Sequence, residues 1–265
     1  MMRTVGGFEY EVRGEGEAVL LIHGSVIADA FMPLSREASL AQGRRVIWHR
    51  RRGYGRSEPV AGSVSLDDQT RDAVALLDEL GVERAHVVGH SFGGAIAIRL
   101  ALQVPELVHS LVLLEPAVFT FEEATAVDFI EPLIDIYRSG EPGKAVHLFM
   151  KGAGGAAWRT EIEERIRGAG QMAELDAAGV FEGDLPSLLE HLYGPGDRGR
   201  LNQPVLYITG SQSLPQGMAV THLLARAVET AVIQGVNHSL QMVAPGPIAD
   251  AVTRFLDRHP IPPMA

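Results

Sequence analysis

A serine flanked by small residues lies between an apolar run and a helix-forming run. Residues 87–94 read Val-Val-Gly-His-Ser-Phe-Gly-Gly, which places Ser91 at the centre of a G-x-S-x-G pattern. A serine on a sharp strand-to-helix turn presents its hydroxyl to a substrate, and small neighbours let the strand and the helix pack closely. The helix start also stabilises negative charge that develops beside it. The pattern predicts that Ser91 is a nucleophile that attacks an acyl carbonyl.

Among the ten histidines, His238 has the context of a general base. It follows a candidate strand, residues 230–234, and the turn 235–237, and it precedes the last predicted helix. A histidine on a loop near the carboxyl end of the last strand can reach the serine and take its proton. The sequence has no H-E-x-x-H or other metal-ligand spacing, so we expect neither a metal nor another cofactor.

The elements that must position these residues alternate along the chain. Short apolar runs predict strands, and the amphipathic runs between them predict helices. The predicted strands are residues 18–23, 46–49, 85–89, 110–115 and 204–209, with the more alternating residues 8–13 as an edge strand. The predicted helices are residues 66–80, with Ser65 as the cap, and residues 92–103, 219–228 and 248–258. This order predicts an α/β fold with a doubly wound, mostly parallel sheet.

The alternation breaks over residues 118–200. Helical periodicity continues there without a strand-like run, and prolines and glycines interrupt it, as at Pro142, 152–155 and Pro186. We expect this segment to be a helical cap, or lid, over a core formed by residues 1–117 and 201–265. Its aromatic residues could line a partly apolar pocket or pack the cap onto the sheet.

Composition narrows the class of protein. The chain has 265 residues with 23 Lys and Arg against 33 Asp and Glu, a formal net charge of −10. Such a chain repels phosphate backbones, so we expect no nucleic acid as a partner. The absence of cysteine excludes disulfides and a thiolate nucleophile. No apolar run approaches the roughly 18 residues of a membrane span, and the first residues lack a signal-peptide core, so we expect a cytoplasmic protein with no membrane partner.

Three motifs in this order resemble the α/β-hydrolase superfamily, over nearly the whole chain. Residues 20–24, Leu-Leu-Ile-His-Gly, resemble the strand before its oxyanion loop, and residues 52–57, Arg-Gly-Tyr-Gly-Arg-Ser, resemble its loop after the next strand. The serine turn is the third motif. The resemblance implies that the backbone N–H groups of Ser25 and Phe92 form the oxyanion hole, with Val26 as the alternative donor if the loop is shifted by one residue.

The chain departs from that family at the acid of the catalytic triad. Most members carry an aspartate in a G-x-x-D turn after the strand that residues 204–209 match, but here the turn ends in Ser213. A serine cannot carry the charge that stabilises an imidazolium. Glu115 ends the preceding strand, in a placement that resembles the branch, including haloalkane dehalogenases, with its acid after the sixth strand. We expect Glu115 to complete the triad; the alternative is a capping or salt-bridging glutamate beside a Ser–His dyad.

These residues predict a carboxylesterase-like serine hydrolase that cleaves a carboxylic ester or lactone, with a small, partly apolar acyl compound as its substrate. Ser91 in place of an aspartate argues against dehalogenases and epoxide hydrolases, and Ser25 in place of a tryptophan argues against cofactor-free perhydrolases.

A C–C bond hydrolase acting on a diketone, or a thioester or amide hydrolase, could use the same triad. The C–C hydrolase would need polar cap groups, such as Arg159 or His147, to hold a second carbonyl. The alternative from another class is a noncatalytic ligand-binding member of the fold. The sequence does not indicate an oligomeric state.

Overall fold

Eight strands form one mostly parallel sheet in the computed structural model, which describes residues 2–60, 64–120, 128–213, 218–223 and 228–262. The strands are β1 (Arg3–Val5), β2 (Phe8–Arg13), β3 (Glu17–Ile22), β4 (Arg44–His49), β5 (Ala85–His90), β6 (Val108–Leu114), β7 (Val205–Gly210) and β8 (Glu229–Ile233). Their order across the sheet is β1-β2-β4-β3-β5-β6-β7-β8. Strand β2 pairs antiparallel with both of its neighbours, and all pairs from β4 to β8 are parallel.

Helices cover both faces of this sheet. In chain order they are α1 (Met32–Ser35), α2 (Ala38–Ala41), α3 (Leu66–Glu79), α4 (Phe92–Gln103), α5 (Ile130–Arg138), α6 (Pro142–Gly154), α7 (Trp158–Glu163), α8 (Ala169–Leu175), α9 (Leu185–Ser187), α10 (Met218–Leu223), α11 (Leu240–Val243) and α12 (Pro245–Asp257). Leu20 and Val87 belong to one apolar cluster with α3 and α4, whereas their strand neighbours Val19 and Val88 belong to another with α12. Because successive strand residues face opposite sides, the central strands are apolar throughout. The predicted α/β fold with a doubly wound sheet is confirmed.

The sheet register brings the carboxyl ends of the central strands together. Ile22 of β3 lies opposite Gly89 of β5, and His90 lies opposite Leu114 of β6. Leu114 in turn lies opposite Ile208 of β7. The residues that follow these strands therefore meet at one edge of the sheet, which is where α/β folds bind their ligands.

Two expectations about individual elements need correction. The prediction that residues 8–13 form an edge strand is wrong, because β1 pairs with β2 and takes the outer position. The predicted helix 219–228 corresponds to α10, which is described from Met218 to Leu223; residues 224–227 lie outside the described residues. The last helix begins at Pro245 rather than at residue 248, since proline is well suited to the first turn of a helix.

Helices also fill the described part of residues 118–200. Besides α5 to α9, a π-helical turn spans Gly179–Asp184, and one isolated bridge joins Phe119 to Leu192. Trp158 and Phe181 are buried in an apolar cluster that includes Val26 of the loop after β3. This segment therefore packs directly over the edge of the sheet where the strands end. Within the described ranges, no helix is long and apolar enough to cross a membrane.

Candidate active site

Ser91 lies on a strained turn between β5 and α4. Its φ and ψ are 51° and −122°, an uncommon conformation for a residue with a side chain. Its N–H donates to the carbonyl of Leu114 at 3.0 Å, and its carbonyl accepts from the N–H of Ala117 at 2.8 Å. A Cβ on Gly93 would lie 2.1 Å from the carbonyl oxygen of Ile22, so only glycine permits this packing. The local sequence thus fixes the serine at the carboxyl edge of the sheet.

Glu115 and His238 form a direct pair beside this turn. His238 Nδ1 lies 2.6 Å from Glu115 Oε2. The other oxygen, Oε1, accepts from the Thr209 hydroxyl and from the N–H of Gly210, each at 2.8 Å. Glu115 is only 1% exposed, and its φ is 43°. The structure therefore brings together the two residues that sequence analysis assigned as acid and base.

Electrostatics keep the Glu115 carboxylate charged despite its burial. Burial alone raises its pKa, but the hydrogen bond and the charge of His238, with the Gly210 N–H and Ser213, lower it from 4.5 to about 2. Ser213, which stands at the usual acid position of the family, has a buried hydroxyl without a hydrogen bond of good geometry to a described residue. Ser213 is uncharged, so its only contribution is to help lower the pKa of Glu115, and it does not replace the carboxylate.

Neighbouring residues fix the loop that carries His238. The carbonyl of His238 accepts from His90 Nε2 at 2.9 Å, and the two rings lie 4.7 Å apart. Burial first, and then the nearby His238, lower the pKa of His90 to about 3, so that His90 is neutral and Nε2 carries the proton it donates. Asn237 donates to the carbonyl of Gly154 in α6 at 2.7 Å and accepts from the N–H of Ser239 at 3.0 Å.

A small cavity joins Ser91 to His238. Its volume is about 20 Å³, roughly the room for one water molecule. Its polar lining residues are Ser25, His90, Ser91, His238 and Ser239, and its apolar ones are Ile27, Ala30, Phe149, Met150, Ala153 and Met242. Phe149, Met150 and Ala153 come from α6, so the segment over the sheet closes the cavity. None of these lining residues is Asp, Glu, Lys or Arg.

The two candidate oxyanion donors flank the serine. Ser25 lines the cavity, and Phe92 is the first residue of α4. A Cβ on Gly24 would lie 2.9 Å from the Cβ of Ser91, so the Gly24–Ser25 peptide lies against Ser91. The Val26 N–H, the alternative donor, is already engaged by the Tyr54 hydroxyl at 3.3 Å.

Two residues named as candidates for the cavity lie away from it, and three residues that hold Glu115 or the His238 loop were not predicted from the sequence. Arg159 pairs with Glu174 and stacks on Trp158, and neither it nor the exposed His147 lines the cavity. Sequence analysis missed Thr209 and Gly210, although they end the strand next to β6. It also missed Asn237, whose position two residues before Ser239 is typical of an Asx turn. In the described part of the chain, no group of three or more His, Asp or Glu could hold a metal ion.

Known proteins share parts of this chain and its fold. A 2-hydroxymuconate semialdehyde hydrolase of Pseudomonas putida is 41% identical over 104 residues, which cover 38% of this chain and 37% of that protein. The first curated relatives are likewise matched over about two fifths of their length, 37–40%. The structure of a thermophilic esterase from Thermogutta terrifontis superposes with a TM-score of 0.79 at 22% identity, covering 98% of this chain and 97% of that one. An enol-lactonase from Burkholderia xenovorans LB400 gives a TM-score of 0.72 at 19% identity, covering 97% and 100%.

The family assignment rests on a match over most of the chain. The model of the alpha/beta hydrolase family matches residues 19–251, from the strand before Ser25 to the last helix. This match confirms the resemblance that the three motifs predicted. The chain belongs to the alpha/beta hydrolase family.

Proposed function

We propose that the protein is a serine hydrolase that cleaves a carboxylic ester or lactone through an acyl-enzyme intermediate. The observation that carries this proposal is the pair of the buried Glu115 with His238, 2.6 Å apart, because His238 lines the same cavity as Ser91. Ser91, Glu115 and His238 occur along the chain in the order nucleophile, acid, base, which is the order of the triad in this fold.

In this mechanism His238 takes the proton of Ser91 through Nε2 as the hydroxyl attacks the acyl carbon. Its Nδ1–H donates to Glu115, which fixes the ring and its tautomer. Because the pKa of Glu115 is about 2, the carboxylate stays charged at neutral pH and stabilises the imidazolium. His238 then gives the proton to the leaving group. In the second half of the reaction, His238 takes a proton from a water molecule as it attacks the acyl carbon, and gives that proton to the Ser91 oxygen as the acyl–enzyme bond breaks.

The backbone N–H groups of Ser25 and Phe92 hold the negative oxygen of the tetrahedral intermediate. Ser25 is favoured over Val26, because the Val26 N–H already donates to Tyr54. In comparable enzymes, one such donor contributes about 3 kcal/mol to transition-state stabilisation.

The cavity favours a small, uncharged acyl group. Its lining residues include no Asp, Glu, Lys or Arg, and its walls are mainly apolar. A C–C bond hydrolase acting on a diketone must hold a second carbonyl, yet Arg159 and His147 both lie away from the cavity. An ester or lactone of a short acyl chain needs no such group.

Labelling with a small fluorophosphonate, read by intact mass, tests the proposal without knowledge of the natural substrate. We expect one adduct on the wild type and none on Ser91→Ala. Ser239→Ala is the matched control, since its hydroxyl lines the same cavity, and it should keep the adduct. Hydrolysis of p-nitrophenyl acetate and of γ-butyrolactone then separates esters from lactones. A folded wild type that takes no adduct and turns over neither compound would refute the proposal and favour the ligand-binding alternative.

A further inference from the structure

A buried ionic network joins the segment over the sheet to the loop beside Ser91. Asp184, the last residue of the π-helical turn, accepts two hydrogen bonds from the Arg51 guanidinium, at 2.8 and 2.7 Å. It also accepts from Tyr54 at 2.6 Å and from Gln69 at 3.0 Å. Asp184 and Tyr54 are 0% exposed and Arg51 is 3% exposed. A buried charge pair with all of its partners in place holds its geometry tightly, because each lost partner leaves a buried charge unsatisfied.

Arg51 uses all five of its N–H groups. Besides the two bonds to Asp184, it donates from Nη1 to the side chain of Gln69, from Nε to the carbonyl of His23 at 2.9 Å, and from Nη2 to the carbonyl of Gly24 at 3.0 Å. Two of the five bonds therefore end on the backbone of the loop that follows β3. The guanidinium also lies 5.2 Å from the ring centroid of Phe92, so it contacts the neighbourhood of both candidate oxyanion donors.

The bond to Gly24 orients the peptide that contains the Ser25 N–H. The Gly24 carbonyl accepts a second hydrogen bond, from His23 Nδ1 at 2.6 Å. No described peptide bond is cis, and in a planar trans peptide the C=O and the following N–H point in opposite directions. Two donors that fix the Gly24 carbonyl on one side therefore fix the Ser25 N–H on the other.

Tyr54 fixes the next peptide of the same loop. Its hydroxyl donates to Asp184 and accepts from the N–H of Val26 at 3.3 Å. Val26 has a φ of 77°, a conformation that a β-branched residue rarely adopts without such support. Packing adds to the connection, since a Cβ on Gly179 would lie 2.6 Å from the carbonyl oxygen of Gly53. Hydrogen bonds through Tyr54 and this close packing therefore connect the π-helical turn to the oxyanion loop and to the loop after β4.

We propose that Asp184 is a positioning residue that aligns the Ser25 N–H for the oxyanion through Arg51 and Tyr54. This inference rests on the proposed serine hydrolase function. Asp184 touches no reacting atom. It makes the oxyanion hole complete only when the π-helical turn is docked on the sheet edge, and it thereby couples docking of this turn to stabilisation of the transition state.

The test compares Asp184→Asn and Tyr54→Phe with the control Asp72→Asn. Asp72 accepts from Arg52 at 2.7 and 2.9 Å, a similar pair that does not contact the oxyanion loop. Hydrolysis of p-nitrophenyl acetate gives kcat and KM, and inhibition by ethylboronic acid reports on a tetrahedral adduct of Ser91. Loss of a whole oxyanion donor lowers kcat by about 100- to 1,000-fold. For a misaligned donor we expect a fall of about 10- to 100-fold.

The expected result is a lower kcat and a weaker boronic acid inhibition by the same factor in Asp184→Asn and Tyr54→Phe. KM should stay within about twofold, and the pH profile of kcat/KM should keep its midpoint, since the network does not contact His238. If Asp184→Asn does not fold, Tyr54→Phe alone decides. Equal kcat in the variants and the control, or a fall in kcat without weaker inhibition, would overturn the inference. Absence of fluorophosphonate labelling of the wild type would instead overturn the proposed function.

Discussion

Replacement of Glu115 by glutamine tests the acid of the proposed triad with almost no change in shape. The surroundings dictate how the new amide must lie. The Gly210 N–H and the Thr209 hydroxyl both donate to Oε1, so the amide oxygen must take that position. The amide NH2 then faces His238 Nδ1. His238 must accept there, which places its proton on Nε2 and prevents it from taking the proton of Ser91.

The size of the effect follows from two sources. A fall in the pKa of Glu115 from 4.5 to about 2 corresponds to roughly 3 kcal/mol of preference for the charged pair. Loss of this stabilisation from the transition state corresponds to a rate factor on the order of 100. The wrong tautomer lowers the rate further, and in a serine protease the equivalent change, which has both effects at once, costs about 10⁴-fold in kcat in total. We therefore expect kcat of Glu115→Gln to fall by about 10³- to 10⁴-fold.

The assay is kcat for p-nitrophenyl acetate together with the rate of fluorophosphonate labelling. Glu229→Gln is the control, because Glu229 is an exposed glutamate that pairs with Arg258. Ser213→Ala should retain most of the activity. A loss of less than about tenfold in Glu115→Gln, with a larger loss in Ser213→Ala, would refute the assignment of the acid.

Two further predictions concern the cavity and the stability of the fold. Met150 of α6 lines the cavity, so its replacement by alanine should make room for a longer acyl chain. Met150→Ala should raise kcat/KM for p-nitrophenyl octanoate relative to the acetate by about tenfold or more. The control Met172→Ala, in the same apolar cluster but away from the cavity lining, should not change this ratio. An unchanged ratio would show that another wall limits the acyl chain. Because the pKa of Glu115 is lowered in the folded state, its charge stabilises the fold above about pH 4.5, and this contribution is lost as the pH falls toward 2. The free energy of unfolding, measured with urea, should therefore fall more steeply below pH 4.5 for the wild type than for Glu115→Gln. An equal pH dependence of the two proteins would contradict this prediction.

The sequence predicts those features that depend on local pattern. Apolar strands, the glycines around Ser91 and the proline and glycine breaks are visible in short windows, so the fold class and the strand-to-helix turn at Ser91 could be predicted. Glu115 could be singled out because a carboxylate is unusual at the end of an apolar strand, and the structure pairs it with His238. The edge position of β1 could not, since a three-residue strand carries little periodicity.

Features that depend on distant contacts stayed hidden. Arg51 and Asp184 are 133 positions apart and belong to different parts of the fold. Arg51 belongs to three consecutive arginines that follow a predicted strand, a pattern typical of a solvent-exposed strand end, yet its side chain is buried. Only the register of the sheet and the packing of the π-helical turn bring such residues together. Arg159 and His147 lie outside the cavity lining because of how their helices are rotated, which the spacing of these residues in the sequence does not fix.

Among the described residues, the non-glycine residues with a positive φ cluster in one part of the fold. They occur at Val26, Ser91 and Glu115, all at the edge of the sheet where the proposed chemistry takes place. Each such conformation costs about 1–3 kcal/mol, against a total stability of about 5–15 kcal/mol for a typical domain. Selection for thermal stability alone would therefore favour glycine at these positions and remove the proposed nucleophile and the proposed acid. A screen for more thermostable variants of this chain must therefore keep these three residues unchanged and seek stabilising substitutions at other positions.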